Sequence, residues 1–333
     1  MHKRLRVRFA IGALLTAFLA IVAAPAATPA YAQQYPNKHI QLLVGYAPGG
    51  TGDIVGRLVA ARLSIVLGQT IVVENRAGAS GTIAAQALVN APPDGYTLMA
   101  AQTPEIAINP YFLKNVAYDP LKDMQPIALA AAVPLALVVP AKAPYSTVAG
   151  MIKAWQEPGR SVPFGSAGTG TPGHFAGELL KLKTKGNLIH VPYKGAAPAL
   201  NDLVGGHVDF YFPGFPAAAN LVQSGQLKLL AVSSAKRTAA APDIPTVVEA
   251  ANIPNFNFIL WVGFFAPKGT PPEIVVRLNS EINKIIAEPD TNKVLRDNGA
   301  DVATLSVDQF YAFMRTEAAN YQQIIKDANL KAD

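Results

Sequence analysis

Two glycine-rich turns, each set between an apolar strand pattern and a helical pattern, carry most of the chemistry readable in this sequence. The first turn covers 45–53, and helix-like apolar spacing follows it. The second lies within 162–180 and repeats the order strand, glycines, helix. Glycine lets backbone N–H groups face one point, and a helix start adds partial positive charge there. The two turns therefore predict a small acid held between two lobes without Arg or Lys.

In the first turn, the backbone N–H groups of Ala47, Gly49 and Gly50 are predicted to bind a carboxylate, directly or through water. Asp53 has two interpretations that the sequence leaves open. It could contact a ligand hydroxyl, amine or bridging water, or it could cap the helix that follows. Arg57, one helical turn later, is predicted to pair with Asp53 on the helix surface.

In the second turn, the N–H groups of 168–170 are predicted to point into the cleft, with the Ser166 and Thr169 hydroxyls beside them. Thr171, which precedes a proline, is typical of a helix N-cap. His174 is interpreted as a packed or capping histidine. The glycine spacing fits neither the dinucleotide fingerprint nor the Walker pattern, and no nucleophile elbow surrounds the serine.

Further candidates follow from strand ends, where α/β sheets bind ligands. Thr103 ends one predicted strand, and Tyr193 and Asp209 are assigned to the ends of two others. An aspartate would repel a carboxylate, so a water or an ammonium would have to intervene. The predicted ligand-binding set is Tyr46, Ala47, Gly49, Gly50, Asp53, Thr103, Ser166, Gly168, Thr169, Thr171, Tyr193 and Asp209.

The elements that must position these residues alternate along the chain. Short apolar runs separated by helical patterns predict an α/β fold with mainly parallel sheets. Two long apolar runs, 127–140 and 257–265, are interpreted as the connections between the lobes. The predicted domains are 33–137 plus 262–333 for the first lobe and 138–261 for the second.

The first 32 residues predict a secretory signal peptide, with a basic head, an apolar middle and cleavage after Ala32. Four of the 28 basic side chains lie in this leader, which leaves 24 basic against 22 acidic side chains. This near balance disfavours a nucleic-acid partner. The chain has no cysteine, which excludes disulfides and thiolate chemistry, and its histidines lack metal-ligand spacing, so no metal or cofactor is expected.

The motifs together resemble the Bug family, the periplasmic solute-binding proteins of tripartite tricarboxylate transporters. The matching segments run in order over nearly the whole chain: 48–57, 68–69, 74–76, 78–81, 93–98, 165–174, 191–195, 230–232, 242–249 and 266–271. Ser80 and Thr171 stand where the family more often has glycine and serine, which affects loop detail.

The resemblance implies a two-lobed, type II-like venus-flytrap fold with a ligand in the interlobe cleft. It implies a monomeric carrier that delivers an organic acid to the membrane permease subunits of a tripartite tricarboxylate-type transporter. Two alternatives stay open from the residues alone: a sensor for a membrane receptor, and an exported enzyme acting on a small carboxylate. No catalytic motif supports the enzyme.

Overall fold

The structure, a computed structural model, describes residues 35–157, 159–327 and 329–331. The predicted signal peptide and its cleavage site lie outside these residues. Ten strands form two five-stranded sheets within the described ranges. The strands are β1 Ile40–Val44, β2 Ile71–Asn75, β3 Thr97–Gln102, β4 Met124–Pro134, β5 Ala136–Pro140, β6 Val162–Ser166, β7 Leu188–Pro192, β8 Phe210–Tyr211, β9 Leu227–Val232 and β10 Ile259–Pro267.

Helices flank both sheets. In chain order they are α1 Thr51–Leu67, α2 Thr82–Val89, α3 Asn109–Phe112, α4 Pro120–Asp123, α5 Val148–Trp155, α6 Pro172–Thr184, α7 Ala196–Gly205, α8 Phe215–Gln223, α9 Val247–Ala251, α10 Pro272–Ala287, α11 Pro289–Asp297 and α12 Val307–Asp327. A 3₁₀ turn covers Ala79–Gly81 and a π-helical turn covers Pro104–Ile108. Within the described ranges, no helix combines the length and apolarity that a membrane span needs.

The first sheet has the order β2-β1-β3-β10-β4. Strands β1, β2 and β3 pair in parallel, whereas β10 runs antiparallel to both β3 and β4. Four of the five residues of β1 are buried, because helices cover both faces of a parallel sheet and leave no solvent-facing side. The carboxyl end of β1 leads directly into the first glycine turn.

The second sheet has the order β7-β6-β8-β5-β9, with β6 parallel to β7 and β8 and with β5 antiparallel to β8 and β9. Strand β6 leads into the second glycine turn. The chain passes from the first sheet to the second at Leu135, between β4 and β5, and it returns in the segment before β10.

The α/β fold class is confirmed, and each sheet proves to be mixed. The two long apolar runs were interpreted as connections, but most of each is sheet: β4 with β5, and β10. Strands β4 and β10 pair along their length, so the two segments that join the sheets start from neighbouring strands. Helices α3, α4, α8, α9 and α11 were not predicted, because they are only four to nine residues long, too short for a clear helical spacing of apolar residues.

Candidate functional site

The first glycine turn is held in shape by Asp53. The Gly49 N–H donates to Asp53 Oδ2 over 3.0 Å, and Asp53 Oδ1 accepts from Arg57 Nε and from Asn75 Nδ2, each over 2.9 Å. Gly49 has φ +84°, a conformation that favours glycine. Asp53 as a whole residue is 5% exposed. Its contact with Arg57 is as predicted, and the geometry gives Asp53 a positioning role in this turn.

Two other groups of the first turn are also engaged within the protein. The Ala47 N–H donates to the Lys194 carbonyl in the second lobe over 3.2 Å. The Tyr46 hydroxyl donates to the Ser80 carbonyl over 3.0 Å. Of the amides predicted to bind a carboxylate, those of Ala47 and Gly49 therefore already have protein partners. The N–H groups left without an intrahelical acceptor are those at the start of α1, from Gly50 onward.

The second turn is organised by its own hydroxyls. The Gly168 carbonyl accepts from Ser166 Oγ over 3.0 Å and from Thr171 Oγ1 over 2.8 Å, and the Gly168 N–H donates back to Ser166 Oγ. Thr171 is the N-cap of α6 and accepts from the His174 N–H. The Thr169 carbonyl accepts from Ser80 Oγ of the first lobe over 2.5 Å.

Two histidines lie beneath this turn. His174 Nδ1 accepts from the Gly170 N–H over 3.2 Å, and burial lowers the pKa of His174 to about 3, so this ring is neutral. His190 stacks on it and places Nε2 2.6 Å from Ser166 Oγ. A serine beside a histidine can act as a nucleophile. Here the serine is fully buried and does not line the interlobe cavity described below.

The strand-end candidates have different outcomes. Thr103 is fully buried, and its Oγ1 accepts from the Trp261 N–H over 2.9 Å, which ties β3 to β10. The Tyr193 hydroxyl donates to Asp202 over 2.6 Å. Burial and the Asp202 carboxylate together raise the pKa of Tyr193 to about 12. Tyr193 lines a groove of about 980 Å³ between the lobes, together with Gly168 and Thr169.

The placement of Asp209 at a strand end facing the cleft was wrong. Asp209 precedes β8, and its N–H donates to the Pro163 carbonyl near the start of β6. Because β6 and β8 are parallel, this is the amino end of the sheet, opposite to the second glycine turn. Its carboxylate accepts from Arg160 over 3.3 Å. The sequence marked the strand but not which end of it the aspartate occupied.

A small cavity of about 30 Å³ lies between the two turns. Its walls come from both lobes, and none of the residues is charged. They are Tyr46, Gly50, Thr51, Gln102, Pro104, Leu135, Ala167, Thr171, Pro172, Gly173, Ala196, Tyr211, Phe212, Gly214 and Leu260. From the predicted set, Tyr46, Gly50 and Thr171 lie here.

Four helices begin at this cavity. Thr51, Pro172 and Ala196 are the first residues of α1, α6 and α7, and Gly214 is the N-cap of α8. Each N-terminus carries about half a unit of positive charge. Some of the N–H groups there already have partners, because the His174 N–H donates to Thr171 Oγ1 in α6 and the Ala217 N–H donates to the Gly214 carbonyl in α8. Four such ends on one uncharged cavity create a positive potential without a cationic side chain. The arrangement can therefore hold a small anion.

Several of these cavity residues were not predicted from the sequence, among them Thr51, Tyr211 and Gly214. The helix starts at α7 and α8 had a usable signal, because each follows a glycine at a turn. Which starts converge depends on the packing of distant segments. Among the described residues, no group of three or more His, Asp or Glu side chains is placed to hold a metal ion.

The chain is similar to known proteins over most of its length. A family model described as the tripartite tricarboxylate transporter family receptor matches residues 55–330. Rpa4515 of R. palustris, solved with adipate, is 34% identical with a TM-score of 0.86, covering 89% of this chain and 99% of that one. The periplasmic binding protein BugD is 30% identical with a TM-score of 0.85, covering 90% and 100%.

MatC from Rhodopseudomonas palustris, solved with bound malate, is 30% identical with a TM-score of 0.82, covering 87% of this chain and 100% of MatC. The likeness thus extends over both sheets of this chain and over nearly the full length of each relative. The two-lobed fold expected from the sequence is confirmed. This chain belongs to the tripartite tricarboxylate transporter receptor family, the Bug family of solute-binding proteins.

Proposed function

We propose that this protein captures a small organic acid in the cleft between its lobes and delivers it to a tripartite tricarboxylate-type membrane permease. The observation that carries the proposal is the convergence of four helix N-termini on one cavity without charged walls. The adipate and malate in the related structures are carboxylates, which is the chemistry this potential favours.

The ligand-binding residues on this proposal divide into two groups. Tyr46, Gly50 and Thr171 line the cavity and face the acid. The remaining candidates, except Thr103, hold the two turns in place or line the outer groove: Ala47, Gly49, Asp53, Ser166, Gly168, Thr169 and Tyr193. Thr103 supports the site from further away, by joining β3 to β10. We retain the lobe boundaries 33–137 plus 262–333 and 138–261, with export directed by residues 1–32 and a monomer as the working unit.

Binding on this proposal requires the lobes to separate and close again. A cavity of about 30 Å³ has room for roughly two water molecules, less than a dicarboxylic acid needs. The larger groove shares the walls Tyr46 and Ala167 with the cavity and provides the route of access. Closure then removes water, so that neutral N–H dipoles can compete with hydration.

Isothermal titration calorimetry of the purified protein against di-, tri- and aromatic carboxylic acids and acidic amino acids tests the proposal. The Gly49→Val variant should lose binding, because φ +84° is strained for a branched side chain and the two methyl groups beyond the Cβ would extend towards Ala197 of the second lobe, whose methyl already lies 3.6 Å from an added Cβ. Gly68→Val is the matched control at the other end of α1, with φ +66° and no atom within 4 Å of the added Cβ.

Both variants should lose some stability because each forces a side chain into a left-handed conformation. Only the Gly49 variant should lose affinity. The proposal would be contradicted if Gly49→Val still bound the acid, or if the wild-type protein bound none of the acids in the panel. Two further experiments separate a carrier from the alternatives. A carrier should release the bound acid chemically unchanged, whereas an enzyme would convert it. A strain that lacks the carrier should lose uptake of the acid, whereas a strain that lacks a sensor should keep it.

A further inference from the structure

Thr51 occupies an unusual position at the start of α1. It is 3% exposed, it lines the interlobe cavity, and its hydroxyl has no hydrogen-bond partner among the described residues. The hydroxyl points across the cleft, since a Cβ added to Gly214 of the second lobe would overlap Thr51 Oγ1. A buried hydroxyl without a partner costs free energy, and such groups call for an explanation.

Two further polar side chains line the same cavity. Gln102 is 5% exposed and packs on Gly52, where an added Cβ would lie 2.8 Å from the Gln102 Cδ. Tyr211 is 2% exposed, and burial raises the pKa of its hydroxyl, which stays neutral. The cavity therefore has two kinds of polar group. The N–H groups at the helix starts can only donate hydrogen bonds, whereas the hydroxyl and amide side chains can both donate and accept them.

The acceptors limit what can fill the cavity. A carboxylate has oxygen acceptors only, so it can accept from the helix N–H groups and from the Thr51 O–H but cannot donate to the lone pairs of Thr51. Because Thr51 Oγ1 has no partner among the described residues, a donor to those lone pairs must come from another group on the ligand, a hydroxyl or an ammonium. No carboxylate lines the cavity, so an ammonium would be buried there without a counter-charge, which is costly. Asp53 is already engaged by Gly49, Asn75 and Arg57.

We propose that Thr51 is a specificity-determining ligand residue, and that the cleft prefers a hydroxy-carboxylic acid to the same acid without the hydroxyl group. The inference rests on the proposed function, that the cleft binds an organic acid. It adds the chemical class of that acid and the residue that selects it. The ligand hydroxyl bonds Thr51 Oγ1, and Gln102 and Tyr211 complete its surroundings, while the carboxylate lies on the helix starts.

Calorimetry with pairs of acids that differ by one hydroxyl tests the inference: malate and succinate, citrate and tricarballylate, lactate and propionate. In the wild-type protein, at least one pair should show about tenfold or greater preference for the hydroxy member, since a site built to bond a hydroxyl rejects the analogue that lacks it. The Thr51→Val variant, of nearly the same shape, should reduce that preference to about twofold by weakening the hydroxy acid alone. Thr51→Ser should retain it.

Thr291 offers a matched control. It is 1% exposed in α11, and its hydroxyl also lacks a partner among the described residues, but it lies outside the cavity. Thr291→Val should leave both affinities unchanged. Both valine variants should melt at the same temperature as the wild type or higher when no acid is present, because each removes an orphaned buried hydroxyl.

The outcomes separate the two proposals. Acids that bind equally well with and without the hydroxyl would overturn the inference and leave the proposed function standing. Equal weakening of both acids by Thr51→Val, with no rescue by serine, would assign Thr51 to the shape of the turn and would also overturn it. No binding of any acid would overturn the proposed function and this inference together.

Discussion

At the scale of single residues, Asp53 holds the first glycine turn of the proposed anion site through three hydrogen bonds. Its two oxygens accept from the Gly49 N–H, from Asn75 and from Arg57, and its side chain is 6% exposed. We expect Asp53→Asn to lower the free energy of unfolding by about 2 kcal/mol, because charge-assisted hydrogen bonds in a buried turn are lost. Acid affinity should fall with it, since Gly50 and the start of α1 depend on this turn.

Urea denaturation and calorimetry measure the two effects. The control is Asp297→Asn, which removes an exposed ion pair of the same i,i+4 spacing with Lys293. Asp297→Asn should lower the free energy of unfolding by less than about 0.5 kcal/mol. Equal losses in both variants would show that the Asp53 contacts are no stronger than a surface pair.

Glu105 is a second buried carboxyl with a different consequence. It is fully buried in the π-helical turn after β3, Oε2 accepts from the Gln102 N–H, and Oε1 has no partner among the described residues. Burial raises the pKa of Glu105 from 4.5 to about 8, so the group is neutral at pH 7. Gly45 and Gly81 lack the Cβ atoms that would collide with this carboxyl.

A raised carboxyl pKa makes the folded protein hold a proton that the unfolded chain releases above pH 4.5. The unfolding free energy should therefore fall as pH rises from about 4.5 to 8, by up to about 1.4 kcal/mol per pH unit from this group. Glu105→Gln should remove that part of the dependence. Denaturation at pH 5, 6.5 and 8 checks it.

The difference between the wild type and the variant isolates Glu105 from other titrating groups. His174 acts in the opposite direction, since its lowered pKa of about 3 makes stability rise with pH up to about 6.5. A pH profile of the glutamine variant that runs parallel to the wild type would show that Glu105 titrates normally.

At the scale of elements, helix α7 couples the two turns. Gly195 precedes it with φ +144°, and a Cβ added there would lie 2.9 Å from the Ala47 nitrogen, which donates to Lys194 O. Gly195→Ala should force the Ala47 and Lys194 backbones apart and weaken acid binding by about tenfold or more. Gly206, which follows the same helix with φ +80° and no atom within 4 Å, is the control.

Gly206→Ala carries backbone strain but touches nothing, so its affinity should stay within about twofold of the wild type. Small-angle scattering in the presence of acid adds a second readout, with a larger radius of gyration expected for the Gly195 variant. Comparable affinities in both variants would mean that the contact between Ala47 and Lys194 does not belong to the bound form.

At the scale of the whole molecule, two hydrogen bonds join the lobes at the turns: Ala47 N–H to Lys194 O and Ser80 Oγ to Thr169 O. Ser80 is held at φ +52°, and its carbonyl accepts from Tyr46 and from Asn109. This backbone conformation is unfavourable for a non-glycine residue, and the surrounding hydrogen bonds hold it.

Ser80→Ala should speed dissociation of the acid about fivefold, because the loss of about 1 kcal/mol from the closed form shifts the opening equilibrium. Stopped-flow measurements of release, followed by tryptophan fluorescence, give the rate. Ser64→Ala removes a similar bond, Oγ to the Gln69 carbonyl over 2.8 Å, inside the first lobe. An equal change of the release rate in both variants would show that the hydrogen bond between Ser80 and Thr169 does not hold the lobes closed.

Much of the fold could be predicted because its signals are local. The apolar runs 40–44 and 227–232 predict strands with the bounds of β1 and β9, and the helical patterns over 53–67, 171–182 and 273–286 end within two residues of the bounds of α1, α6 and α10. Apolar spacing, prolines at helix starts and glycines at turns act over a few residues, and each is readable from the chain alone. The sequence did not predict that the sheets are mixed. In the first sheet, the direction of β10 depends on where the chain returns from the second lobe, and no local pattern encodes that position.

The candidate site divides in the same way. The sequence by itself determined that two glycine turns lead into helix starts, and hence that an anion is the favoured ligand. Only the tertiary structure decided which N–H groups remain for that anion, that Asp209 lies at the far end of its sheet, and that Thr51 faces the cavity. The reason is that turn geometry arises within a few residues, whereas hydrogen-bond partners such as Lys194 for Ala47 come from distant parts of the chain.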